Sequence, residues 1–202
     1  MNATTAMKSA VSNTPWGPAL GLRWLSDDVC YAATSTHGGF FVSAAKNENV
    51  PAYLRIQSGW YEHDSEWARI GVVFTDLFKP EDVKFAQQIL MQWEPDLYEK
   101  FTCRLIQPGE SLMKDRSEFE RVHANDFIGV AAFGDWFANV PKDMVLVAAA
   151  KGGRDKHGAI KGEERYYLVP SAEYTVRSLY GFVITASHHQ TDPNIYPGLC
   201  RN

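Results

Sequence analysis

From Leu20 to Ser43 aromatic and β-branched residues recur in short runs, interrupted at Ser26-Asp27-Asp28 and again at His37-Gly38-Gly39. That alternation predicts three short antiparallel strands in a meander, with His37 on or beside a tight turn. Between Gly59 and Phe78 the spacing changes. His63, Trp67, Ile70, Phe74 and Leu77 follow one another at intervals of three or four, which predicts a helix whose opposite face carries Glu62, Glu66 and Arg69.

Pro80, followed by Glu81 and Asp82, marks the first turn of a second helix, with Val83, Ala86, Leu90 and Trp93 on one stripe and a break at Glu94-Pro95. A short helix over 96–101 and another over about 110–123 complete a helical middle segment. Apolar runs of strand length then return at Phe127–Phe133, Met144–Ala150, Glu164–Val169 and Gly181–Thr185, with one short helix between Pro170 and Ser178. Strands, then helices, then strands with one small helix is the segregated order of an α+β protein, mostly antiparallel sheet around a helical middle, and not of repeated βαβ units.

Length and composition support one core. The 202 residues are 45% hydrophobic and 22% charged, values typical of chains that fold. Residues 1–14, rich in Ala, Thr and Ser, read as a flexible arm; Pro15-Trp16-Gly17-Pro18 then anchors a single domain over 15–202. No apolar run is long enough for a membrane helix, and the arm lacks the apolar block of a secretory signal. Cys30, Cys103 and Cys200 are an odd, widely spaced set, which suits free thiols in a reducing cytoplasm.

A net charge of −4, from 24 Asp and Glu against 20 Lys and Arg, excludes two extremes. The chain is neither a strongly basic nucleic-acid binder nor a densely acidic DNA mimic. Nucleic acid is therefore at most a secondary partner.

The densest polar cluster runs from Trp60 to Trp67 and places Glu62, Asp64 and Glu66 beside His63. On a helix, His63 and Glu66 would share one side, and with His188 or His189 they could hold a zinc ion with a position open for water. The competing reading makes His63 a partly buried member of the Trp67 and Ile70 stripe and the carboxylates a solvated helix start; it is the simpler one. Glu62, Asp64 and His37 are the candidates for catalytic groups. His37 beside Gly38-Gly39 could serve an anion, but a hairpin turn explains the glycines.

Lys151 to Gly162 is a basic, glycine-rich connection between two apolar strands, expected to be exposed and mobile. Its Lys151, Arg154, Lys156 and Lys161 offer a contact surface for an acidic partner or nucleic acid. It has no P-loop ending, and the chain contains no Gly-x-Ser-x-Gly, His-Glu-x-x-His, Cys-x-x-Cys or Rossmann pattern. These absences favour a binding protein without cofactor over an enzyme.

The blocks Thr14-Pro15-Trp16-Gly17-Pro18, Ser35-Thr36-His37-Gly38-Gly39, Gly59-Trp60-Tyr61-Glu62, Glu66-Trp67-Ala68, Leu168-Val169-Pro170, Glu173-Tyr174 and Gly181-Phe182-Val183 resemble an uncharacterised domain family found in bacterial plasmid and phage genes. The resemblance implies an accessory protein of a mobile genetic element that binds a host protein or protein complex, with inhibition of a host defence system as its extension. A metal-dependent hydrolase built on His63 and Glu66 is the alternative.

Overall fold

A computed structural model describes residues 11–199; the first ten positions of the expected arm and Cys200 lie outside the described residues. The chain is a mixed α+β protein in which antiparallel sheets come before and after a helical segment, residues 67–122, along the sequence. It forms two compact units, one reaching to Asp115 and the other starting at Arg116. None of the helices among the described residues is long and apolar enough to cross a membrane.

The first unit opens with a two-residue ribbon, β1 (Asn13–Thr14) against β2 (Gly17–Pro18). Val11 and Thr14 are already buried here, so packed structure begins before Pro15. Thr14 Oγ1 donates to the Gly17 carbonyl at 2.8 Å and accepts the Trp16 N–H at 3.1 Å, which fixes the turn that presents the Trp16 indole.

A four-stranded sheet follows: β3 (Gly21–Ser26), β4 (Val29–Ala33), β5 (Gly38–Val42) and β6 (Trp60–Glu62), paired in that order and antiparallel throughout. The expected meander is present, but the second break falls at Thr34–His37, and Gly38-Gly39 belong to β5 itself. These glycines are required by close approach. A Cβ on Gly39 would run into the Trp16 ring and lie 2.7 Å from the Tyr61 carbonyl oxygen, and one on Gly38 would lie 2.5 Å from Tyr31 Oη.

The expected helix over 59–78 is replaced by a strand, a turn, the short helix α2 (Trp67–Gly71) and a 3-10 turn at Thr75–Leu77; α1 is the single turn Ala44–Asn47 after β5. Trp60 and Tyr61 pair with Phe41 and Phe40 on β5, and that ladder outweighs the helical spacing of the side chains. Tyr61 is fully buried. Its hydroxyl donates to Asn47 Oδ1 at 2.6 Å and accepts the Ile56 N–H at 3.2 Å, while Asn47 Nδ2 donates to the Ile56 carbonyl at 2.9 Å. The stripe residues Trp67, Ile70 and Phe74 are nonetheless buried, against the sheet and against Ala86, Ile89 and Leu90 of α3 (Pro80–Trp93).

Helix α3 starts at its proline, with Glu81 and Asp82 complementing the positive end of its dipole. Trp93, expected on the buried stripe, is exposed. Glu94 ends the helix and its carboxylate is gripped by Arg69 through Nε at 2.9 Å and through Nη2. Pro95 opens α4 (Pro95–Thr102), which stops at Cys103 in the left-handed conformation, φ 54°. Gln92 then anchors α5 (Leu112–Val122), its Oε1 accepting the Leu112 N–H at 2.9 Å. No residue of α5 is fully buried; Arg116–Glu120 and Arg121–Glu118 pairs lie along it.

The second unit is built on β7 (Phe127–Phe133), β8 (Met144–Lys151), β9 (Glu164–Pro170) and β10 (His189–Thr191), paired antiparallel in the order β10-β9-β8-β7. Strand β8 is central and apolar almost throughout because both its faces are covered. Val147 and Ala149 join Tyr167, Val169 and Phe182 on one face, and Leu146 joins Val140 and Tyr196 on the other. The expected strand over 181–185 is only an irregular pairing along β7: Val183 bridges Ile128, and backbone bonds join Gly129 N to the Phe182 carbonyl and Ile184 N to the Phe127 carbonyl. A bulge between Gly129 and Ala131 interrupts the edge on which a longer ladder would have to form. The small helix α6 covers Ser171–Thr175, shorter than the segment expected from Pro170 to Ser178.

Candidate functional site

The first unit carries a groove of about 430 Å³ whose walls are aromatic. Phe40 enters from β5, Trp67 from α2, Phe78 from the segment before α3, and Phe85 from α3. Trp67 stands 5.7 Å from Phe78 and 6.3 Å from Phe85, and Phe40 stands 5.6 Å from Phe78, all between ring centroids. Phe40 and Trp67 are 4% and 7% exposed, whereas Phe85 is 56% exposed and forms the open lip.

The polar lining comes from three further places: Arg23 on β3, His63 and Asp64 in the turn after β6, and Asp82 in the first turn of α3. Arg23 lies opposite Tyr31 across the strand pair, and its guanidinium sits 5.7 Å from that ring. The His63 imidazole wedges between Tyr31 at 5.4 Å and Phe40 at 6.4 Å. Among the described residues neither Asp64 nor Asp82 forms an ion pair. In the lining two carboxylates, Asp64 and Asp82, stand against the single guanidinium of Arg23. Aromatic faces beside unpaired carboxylates attract a cation through the ring quadrupoles and through charge together.

Of the residues singled out from sequence, His63 and Asp64 line this groove and Glu62 and Glu66 have other work. Glu66 Oε2 accepts the Glu62 N–H at 3.0 Å; Glu62 Oε2 accepts the N–H groups of Asp64 at 2.8 Å and Ser65 at 3.2 Å. These carboxylates hold the turn that ends β6, so His63 and Glu66 do not share a helix face, and His63 is not on a common helical stripe with Trp67. Among the described residues no group of three or more His, Cys, Asp or Glu side chains is placed to hold a metal ion.

His37 lies on the β4–β5 turn, its Nδ1 3.0 Å from Thr36 Oγ1. His188 belongs to the second unit, where its side chain is 4% exposed. There Nε2 meets Glu173 Oε2 at 3.0 Å and Nδ1 accepts the Thr185 N–H at 2.9 Å, which fixes the Nε2–H tautomer and ties the 185–188 turn to α6. His189 is an exposed residue at the start of β10.

Lys151 at the end of β8 and Arg154, Lys156 and Lys161 in the loop that follows are all exposed, but the loop is internally bonded. Asp155 Oδ1 accepts the N–H groups of His157 and Ala159, Arg154 bridges to Ile160, and the Lys161 N–H bonds to the Gly153 carbonyl at 3.0 Å. Arg154 itself donates from Nη1 to the Gly158 carbonyl at 2.6 Å and from Nη2 to the Val130 carbonyl at 3.2 Å.

Sequence reasoning missed Arg23, Phe40, Phe78, Asp82 and Phe85. Phe85 alone left a signal, an aromatic off the Val83, Ala86 and Leu90 stripe and therefore facing away from the core.

The model of a domain of unknown function, DUF7007, matches residues 9–124, more than half of the chain, so the chain belongs to that family. The matched stretch takes in the first sheet, the aromatic groove and the helices through α5. No curated protein and no solved structure matches the chain.

Proposed function

We propose that this member of the DUF7007 family acts by binding a protein partner, and that the aromatic groove receives a Lys or Arg side chain of that partner. One observation carries the reading: Phe85, an aromatic kept largely exposed at the lip of a ring-walled groove, stands one helical turn from the unpaired carboxylate of Asp82. A cation over such faces gains about 0.5–2 kcal/mol, more as water is excluded, and the nearby carboxylates add specificity of sign.

The test uses peptides of equal length, one Lys- and Arg-rich and one Asp- and Glu-rich, titrated while indole fluorescence is followed. The basic peptide should bind and perturb the signal, with affinity reduced about tenfold in Phe85→Ala and in Asp82→Asn. Equal binding of the acidic peptide, or indifference of the basic one to both substitutions, would reject the reading. Trp67→Phe, which keeps the wall, identifies the reporting indole.

The setting we propose for this binding is the one the sequence resemblance suggests, an accessory protein of a mobile genetic element directed at a host protein or complex, a defence complex first. Expression in a host should then weaken restriction or CRISPR interference. Both remaining intact would remove this setting while leaving the peptide result to stand or fall by itself.

A further inference from the structure

The second unit has a larger groove, about 820 Å³, on the sheet face that carries Leu146. Its origin is in the strand register. Along one row of that face Phe133, Leu146 and Leu168 are paired in line and are covered by Val140 and Tyr196. The next row is Ala131, Ala148 and Tyr166, where two adjacent alanines cannot fill the height that their neighbours reach. That row leaves a trough whose floor is the exposed Ala131 beside Ala148, itself only 4% exposed, walled by the β8–β9 loop at Ile160 and by Pro193 and Leu199 of the C-terminal segment.

Arg154 stands in that wall. Its two carbonyl bonds orient the exposed guanidinium, no carboxylate pairs with it among the described residues, and further N–H groups remain to be offered to a ligand. Glu164, the other charged residue of the lining, is on β9, two strand spacings or about 10 Å across the sheet from the β7 carbonyl that anchors Arg154. Its carboxylate already accepts the Tyr166 hydroxyl at 2.7 Å.

We propose that this groove binds a small anionic amphiphile, a monomeric long-chain carboxylate whose headgroup pairs with Arg154 and whose chain lies over Ala131 and Ala148. The volume falls within the range of small-molecule sites, about 300–1,000 Å³, and a prefixed guanidinium recognises a carboxylate in bidentate fashion at little entropic cost. This site is separate from the cation-binding groove and its occupant has the opposite charge.

Calorimetric titration of the full chain with dodecanoate, kept below its micelle concentration, tests the assignment. One-to-one binding is expected, with dodecyltrimethylammonium and acetate each binding at least tenfold more weakly. Ala148→Leu should abolish dodecanoate binding by filling the floor, and Arg154→Gln should weaken it about tenfold. Should Ala148→Leu fail to fold, Ala131→Leu blocks the same row from β7, and Arg154→Lys keeps charge while losing bidentate geometry. Absence of dodecanoate binding, equal affinity for the cationic amphiphile, or full affinity in a folded floor-filling variant would overturn the proposal.

Discussion

The two grooves are made by opposite means. In the first unit large rings stand up around a space, and the charge on the rim is mostly carboxylate; in the second, small residues leave a space in a sheet, and the lining carries one guanidinium, Arg154, and one carboxylate, Glu164. The contrast follows from how each sheet is covered. The first sheet buries Tyr61, Phe40 and Val42 against helices, so a depression arises where the helical cover begins, between α2 and the start of α3. The second has apolar clusters on both faces, so a depression arises wherever one row of side chains is too short to meet its cover. Aromatic walls are rigid and suit a flat or cationic group, whereas an alanine floor suits a chain.

Glycines provide the largest test of this difference. Gly39→Ala places a methyl group into the Trp16 ring and 2.7 Å from the Tyr61 backbone oxygen, neither of which can yield freely, since the indole also meets Trp60 edge-on at 5.7 Å. A loss of about 3 kcal/mol is expected in denaturant unfolding. For Gly129→Ala in the second sheet the nearest atoms are a Val147 methyl at 3.1 Å and the Phe182 Cβ and carbonyl oxygen at 3.6 Å, and it should cost about 1 kcal/mol or less. Equal costs would show that the two sheets are covered with the same tightness.

A second substitution probes how the aromatic side of the first unit is held up. Tyr61→Phe keeps the ring but strands Asn47 Oδ1 and the Ile56 N–H in the interior, and should cost about 2 kcal/mol. Burial holds the Tyr61 phenol above its ordinary pKa, so the wild-type hydroxyl stays a donor across the neutral range. A nearly neutral result would mean that water reaches the site.

The binding experiments cross the comparison directly. Phe85→Ala should weaken the basic peptide about tenfold, or about 1.4 kcal/mol, and leave dodecanoate unchanged, while Ala148→Leu should do the reverse. A substitution that moved both ligands would show that the two surfaces are not independent.

Sequence patterning revealed the elements better than the site. The meander over 21–42 was legible because its alternation and turn residues are local, and α3 because Pro80 and the Ala86–Leu90 stripe mark it. The segment 59–78 departs from the helix its spacing predicts because Trp60 and Tyr61 belong to a strand of three residues, too short to show its own period, whose partner is Phe40-Phe41, some twenty positions earlier. The groove was half-visible for a related reason. His63 and Asp64 attracted attention as a polar cluster, but Arg23, Phe40, Phe78 and Asp82 come from four separate segments that only the register and the helix docking bring together. Nothing local distinguished Ala131 and Ala148 from ordinary strand alanines; their adjacency depends on the bulge at Gly129.

The smallest expected effect separates the ion pairs of the two units. Lys114 Nζ donates to Glu99 Oε1 at 2.5 Å, and the same oxygen accepts the Ile106 N–H at 2.6 Å, so one carboxylate ties α4, the following loop and α5 together. The lysine first and the backbone N–H second hold its carboxyl below the ordinary Glu value. In the second unit Arg165 likewise lowers the Glu163 carboxyl, but the partners are two residues apart and both are exposed. A group whose folded pKa is depressed contributes stability that is complete above its unfolded value, about 4.3, and is lost as pH falls through the lower folded value. Glu99 gains its contacts only on folding, whereas the Glu163–Arg165 contact is available to the unfolded chain as well. Denaturant midpoints compared at about pH 6 and about pH 3 should therefore fall less in Glu99→Gln than in wild type, because the variant has already lost that contribution. Glu163→Gln should follow the wild-type fall. An unaltered acid slope in Glu99→Gln would mean that the three-way contact is worth no more than the exposed pair on the second sheet.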